Sequence, residues 1–180
     1  KTIIDNPSVS VPESPTINSI TIGNTQTASV SFTGPSWDGG NSIYAYKYSL
    51  DNVNYTTINT SSPFTLTGLT SSIYTLYLKA VNYVGDSDYT SQSFTMYLPP
   101  TVPTLGTVTG GNRTLTITFT APTSNGGSAI TGYKYSFDNW ATSVLLATTS
   151  SPLTITGLNN NASYSVAIKA VNGAGDSPSS

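Results

Sequence analysis

The chain has 180 residues, of which 8% are charged and 37% hydrophobic, with a formal net charge of −2 and neither Cys nor His. Six cations are too few to neutralise a run of phosphates, which argues against nucleic-acid binding and against adsorption to anionic membranes. Without imidazole or thiol there is no ordinary acid/base residue, thiolate nucleophile, disulfide or zinc site, and no apolar run approaches the ~20 residues of a spanning helix.

Apolar residues instead alternate with Ser and Thr, which make up about a third of the chain; this is the pattern of half-buried strands solvated by hydroxyls. Neither an initiator Met nor a signal-peptide pattern precedes Lys1, so the chain reads as an excised or processed piece. Residues 1–12 read as the end of a preceding repeat or a linker, because Ser8 to Val11 (SVSV) resembles Phe94 to Tyr97 (FTMY) before the next boundary. A first domain is expected over 13–98. In it Ala28, Val30 and Phe32 alternate toward a core, Tyr46 and Tyr48 flank an outward Lys47, and Phe64 with Leu66 supply a short strand. Tyr74, Leu76, Leu78 and Ala80 form the longest alternating run and read as the central strand.

Pro99, Pro100 and Pro103 mark a semi-rigid linker over 99–103, and a second domain is expected over 104–180. It repeats the first. Pro35 to Asn52 (PSWDGGNSIYAYKYSLDN) matches Pro122 to Asn139 (PTSNGGSAITGYKYSFDN), SSPFTLTGL from Ser61 matches SSPLTITGL from Ser150, and KAVNYVGDS from Lys79 matches KAVNGAGDS from Lys169. Leu115, Ile117 and Phe119, then Tyr133 and Tyr135 about Lys134, then Leu153 and Ile155, then Tyr164, Val166, Ile168 and Ala170, take the places of the first-copy strands. The second copy stops at Ser180, before any counterpart of Ser91 to Tyr97, and so reads as lacking its last strand. A repeat of roughly 90 residues suits a small sandwich domain better than a solenoid unit.

The order apolar-x-Phe-x-x-Pro, Gly-Gly-x-x-Ile-x-x-Tyr-Lys-Tyr, Leu-x-Gly-Leu, then Tyr-x-apolar-x-apolar-Lys-Ala-Val-Asn with Gly-Asp-Ser resembles the fibronectin type III domain, twice over. The resemblance implies an all-β, immunoglobulin-like fold: two tandem sandwiches with strands A, B, E packed on C, C′, F, G. It also implies a tyrosine corner at Tyr74 and Tyr164. Phe32 and Phe119 stand where the family usually has Trp, another large ring.

The chemistry such a chain could carry is limited. Asp38, Asp51, Asp86 and Asp88 fall in turns and could offer oxygen ligands to Ca²⁺, but the ordinary turn role of Asp is the better reading, and no metal or cofactor is expected. Ser and Thr nucleophiles lack a base, because Lys47, Lys79, Lys134 and Lys169 all have the outward strand parity; the same parity disfavours buried isopeptide cross-links. Four N-x-[ST] matches, at Asn54, Asn59, Asn112 and Asn161, are about what chance supplies in so Ser/Thr-rich a chain.

Subtracting one copy from the other leaves aromatic residues that core packing does not require. Tyr44, Tyr55, Tyr77, Tyr83, Tyr89 and Tyr97 stand where the second copy has Thr, Ala, Gly, Ser or a gap, and Trp37 stands opposite Ser124. Trp37, Tyr83, Tyr44, Tyr77 and Tyr89 are the candidate partner contacts, and the family topology implies that Trp37 and Tyr83 lie near one another. Trp140, opposite Val53, is a lone loop aromatic of lower interest. These features suit a non-catalytic spacer and docking module of an extended extracellular protein at a cell or virion surface, contacting neighbouring repeats, assembly subunits or a glycan. The composition resembles bacterial, phage and giant-virus surface repeats. The alternative is an accessory module of a secreted polysaccharide-degrading enzyme.

Overall fold

A strand whose alternate residues are apolar can bury only one face, so such strands pair into sheets that pack face to face. The computed structural model describes residues 8–23, 25–59 and 61–180, and the chain divides into two compact units, Lys1–Met96 and Tyr97–Ser180. The reading of Lys1 and most of that of residues 1–12 lie outside the described residues; Ser8 to Val11 are not in a strand.

The first unit contains β1 (Thr16–Ile22), β2 (Ala28–Thr33), β3 (Ala45–Ser49), β4 (Thr56–Ile58), β5 (Phe64–Leu66), β6 (Ser72–Val81) and β7 (Thr90–Met96). They form two antiparallel sheets in the orders β1-β2-β5 and β4-β3-β6-β7, which is A, B, E against C′, C, F, G. Phe32 from one sheet packs with Tyr46, Leu78 and Ala80 from the other, and the Phe32 and Tyr46 ring centroids lie 4.6 Å apart, edge to face. Each fully buried aliphatic such as Val30, Leu76 or Leu78 contributes about 1.5–3 kcal/mol of transfer free energy.

The second unit repeats this frame with β8 (Thr104–Gly111), β9 (Thr114–Thr120), β10 (Ile130–Ser136), β11 (Val144–Leu146), β12 (Leu153–Thr156), β13 (Ala167–Asn172) and β14 (Gly175–Asp176), in sheets β12-β9-β8 and β11-β10-β13-β14. Its core holds Leu115, Ile117, Phe119, Tyr133, Leu153, Ile155, Ile168 and Ala170. β14 is a two-residue return beside β13, and its counterpart in the first unit is the single bridge Val81 to Asp86. No equivalent of β7 lies among the described residues.

The missing neighbour corrects one expectation. The alternating run predicts a strand from Tyr164, but β13 begins at Ala167. In the first unit β3 reaches along β6 only as far as Tyr77, so residues 72–76 are held as strand by β7 alone. In the second unit β10 reaches Ala167, and among the described residues no strand pairs with those before it. An apolar period places side chains, but a strand also needs a hydrogen-bonding partner. Tyr164 keeps its place without one: its ring lies 4.9 Å from Phe137 and its hydroxyl accepts the Asn159 N–H at 2.9 Å. Tyr74 makes the matching corner, accepting the Thr70 N–H at 3.0 Å.

Shared motifs also have local reasons. β5 begins at Phe64, opposite Val30, leaving the Phe32 amide beyond it, and the Ser62 hydroxyl accepts that N–H at 2.8 Å. Ser151 does the same for Phe119 at 3.0 Å, so the Ser-Pro segment of each copy completes the bonding of its B strand.

Tyr133 is wholly buried, its ring centroid 4.3 Å from that of Phe119, and its hydroxyl has no hydrogen-bond partner, so burial pushes its pKa up. Tyr133→Phe removes a desolvated, unpaired group and is expected to raise stability by about 1 kcal/mol. Calorimetry of the full chain should show the second unit melting about 4–8 °C higher; a lower melting temperature would mean that the hydroxyl has a partner in solution.

Candidate functional site

Registry in the four-stranded sheets sets lysine directly against lysine across the C and F strands, Lys47 opposite Lys79 and Lys134 opposite Lys169. Like charges so placed destabilise a sheet unless each finds its own partner. One of each pair takes a carboxylate: Lys47 Nζ lies 2.8 Å from Asp86, and Lys134 Nζ lies 2.7 Å from Asp176. The other takes a ring face: Lys79 Nζ sits 4.8 Å from the Tyr55 centroid, and Lys169 Nζ 4.2 Å from that of Trp140. Trp140 is further held by its indole N–H, which donates to Ser179 Oγ at 2.9 Å. The serine of Gly-Asp-Ser then closes the turn, with Ser87 Oγ accepting the Ala80 N–H and Ser177 Oγ the Ala170 N–H, both at 2.9 Å.

At the loop end of the first unit a residue that the sequence reading passed over organises the pole. Asn82, 1% exposed, donates through Nδ2 to the carbonyls of Ser10 (2.7 Å) and Asp38 (2.9 Å) and accepts at Oδ1 from the amides of Val84 (2.9 Å) and Gly85 (3.1 Å). Every hydrogen-bonding site of the amide is used. Asn172 repeats the set with Leu98, Asn125, Ala174 and Gly175. The incoming segment lies against the BC loop, with the Ser10 N–H donating to Gly39 O at 2.8 Å and the Glu13 N–H to Trp37 O at 3.0 Å. Gly39, at φ +79°, permits this approach, because a Cβ there would collide with the Ser10 carbonyl; Gly126, at φ +69°, has the same relation to Leu98. The only signal in the sequence was that Asn recurs after Lys-Ala-Val in both copies.

On this frame the predicted contact residues fall into separate groups. Tyr83, 81% exposed, has its ring 5.0 Å from that of Tyr44, whereas the Trp37 ring, 49% exposed, lies with Val9 over the bare Cα of Gly40. Tyr83 thus has Tyr44 as its ring partner, and Trp37 packs on its own loop. Tyr77 and Tyr89 form a second pair, 5.0 Å apart and nearly perpendicular. Tyr55 belongs with them: burial, then the neighbouring Tyr89 and Tyr77 hydroxyls, push its own hydroxyl above the ordinary range. Tyr55 and Trp140, which the sequence comparison does not set against each other, perform the same task on the two F-strand lysines.

The turn carboxylates are engaged locally. Asp51 accepts from Asn54, Val53 and Ser49, with the Asn54 side chain foremost in holding its carboxyl far below the usual range, and Asp38 accepts the Gly40 N–H. Among the described residues no three acidic side chains converge.

Residues 99–180 match the model of the fibronectin type III domain family, and both units are sandwiches of that immunoglobulin-like, all-β kind. The chain is also similar to Endoglucanase B of Cellulomonas fimi, 34% identical over 62% of this chain, and it spans 12% of that protein's length. Among solved structures it resembles the FN1–FN3 domains of chicken CNTN1, with 18% identity, a TM-score of 0.50, and coverage of 96% of this chain and 66% of that one, a likeness of fold.

Two outcomes follow from the loop chemistry. Asn82→Ala orphans four backbone groups, and the first unit should lose about 2 kcal/mol or more, read as a lower denaturant midpoint at unchanged slope. In the second unit the Thr142 hydroxyl and amide, then the Ser136 hydroxyl, hold the Asp138 carboxyl at about 2. A folded pKa below the unfolded value of about 3.9 means that this loop's stabilisation is complete above that pH and is lost as pH falls through about 2. Carboxyl NMR titration should find a midpoint near 2, with the Thr142 amide shifting in step; a midpoint near 4 would mean that the loop bonds do not form.

Proposed function

We propose that the chain is a non-catalytic structural and docking module of an extended extracellular protein, at a cell or virion surface, in which tandem fibronectin type III units act as spacers and the first unit carries the contact surface. One observation carries this reading. Two units with the same sandwich frame, the same lysine pairing and the same buried amide differ in their surfaces, and the surface ring pairs Tyr44–Tyr83 and Tyr77–Tyr89 belong to the first alone. Thr131, Gly173, Ala167 and Ser179 occupy those places in the second. A frame that the second unit builds without these rings leaves them free for a partner. Neighbouring repeats or assembly subunits are the partners that such a spacer would meet.

A second reading, that of an accessory spacer or glycan-contacting module in a secreted polysaccharide-degrading enzyme, is favoured specifically by the similarity to Endoglucanase B. The intact mass and peptide map of the native polypeptide separate the two. Further copies of this repeat without a catalytic domain are expected on the first reading. A contiguous hydrolase domain would overturn it in favour of the second, and turnover by the 180-residue chain itself would overturn both.

A further inference from the structure

We infer that the outer face of the first unit's β4-β3-β6-β7 sheet is a stacking platform for an uncharged polysaccharide chain, an inference that rests on the first unit being the docking unit. Tyr77 lies on the outward face of β6 together with Lys79, and Tyr83 lies just past the end of that strand, in the hairpin that the Val81–Asp86 bridge closes. Each is doubled by a second ring, Tyr89 and Tyr44 respectively, and Tyr55 lies beside the lower pair. Two separate ring pairs suit an extended polymer better than a single small molecule.

The chemistry between the pairs selects the polymer's class. The cations on this face are already answered, Lys47 by Asp86 and Lys79 by the Tyr55 ring, so an anionic ligand finds no unpaired cation there. Apart from the exposed Ile73 toward the start of β6, the neighbours carry hydroxyls: Thr75 and Ser93 are hydrogen-bonded to each other at 3.0 Å, Ser91 stands across from Tyr77, and Thr57 across from Lys47. Rings that present an apolar face with a polar tip, set among hydroxyls, match a sugar chain, which offers C–H faces and hydroxyl edges. A protein interface would instead centre on an apolar core depleted of charge, and here an ion pair lies between the ring pairs. The second unit supplies an internal contrast: its outer-face Trp140 is bound to Lys169 and Ser179, with Ala167 and Gly173 where the tyrosines would stand.

The test uses the full chain with two probes, insoluble cellulose in a pull-down and soluble mixed-linkage β-glucan in affinity electrophoresis. Retention of the wild type is expected, unchanged by added salt because no ionic contact is made. The Tyr77→Ala/Tyr89→Ala double variant and the Tyr44→Ala/Tyr83→Ala double variant should each bind about tenfold or more weakly, whereas Trp140→Ala and the ring-preserving Tyr77→Phe/Tyr89→Phe should bind as the wild type. Absence of retention on both probes, equal retention of the alanine variants, or loss in the phenylalanine variant as deep as in the alanine one would overturn the inference. Self-association by sedimentation velocity that the alanine variants abolish would also overturn it, assigning the face to a second copy and leaving the docking reading intact. A contiguous run of repeats in the native polypeptide tests that docking reading independently.

Discussion

A single buried primary amide holds the loop end of each unit together. Asn82 and Asn172 each have two donors and one doubly accepting oxygen, and each meets backbone groups from three separate stretches of chain. A buried backbone group without a partner costs about 1–3 kcal/mol, so the incoming segment, the BC loop and the FG loop could not all leave water at this pole without such a side chain. The glycines of the BC loop follow from this constraint, since only a residue without a Cβ lets the incoming carbonyl reach the amide. Where Trp37 and Tyr83 stand is in turn a consequence of those two loops being held.

The second constraint lies one strand turn away. Opposed lysines would strain the sheet, and both units resolve the strain with one carboxylate and one aromatic face. The Asp of Gly-Asp-Ser is therefore an ion-pair partner held in position by a serine that closes the turn. The outer face becomes electrically quiet as a result. In a chain with so few charges, what that face offers a partner is rings and hydroxyls.

Two units on one frame separate what folding needs from what it does not. Phe32 and Phe119, Tyr46 and Tyr133, and the corner tyrosines recur because the sandwich requires them. The ring pairs of the first unit do not recur. A shared fold with chicken CNTN1 domains at 18% identity carries no information about a partner, because function on such sandwiches resides in their surfaces.

Period-two alternation, the internal repeat and the tyrosine positions made the fold class, four strands of each copy and the core rings legible in the sequence by itself, since each is a property of residues close together along the chain. Candidate contacts were legible as differences between copies, but their grouping was not. Tertiary structure alone decided that Tyr83 pairs with Tyr44, that Tyr55 and Trp140 do one job from unaligned positions, and that β13 starts at Ala167 for want of a partner strand. It alone showed what Asn82 does, because its partners Asp38 and Ser10 lie 44 and 72 residues away. A one-dimensional pattern reports which face a side chain takes; which distant backbone or ring meets it there is set only when the sheets and loops close.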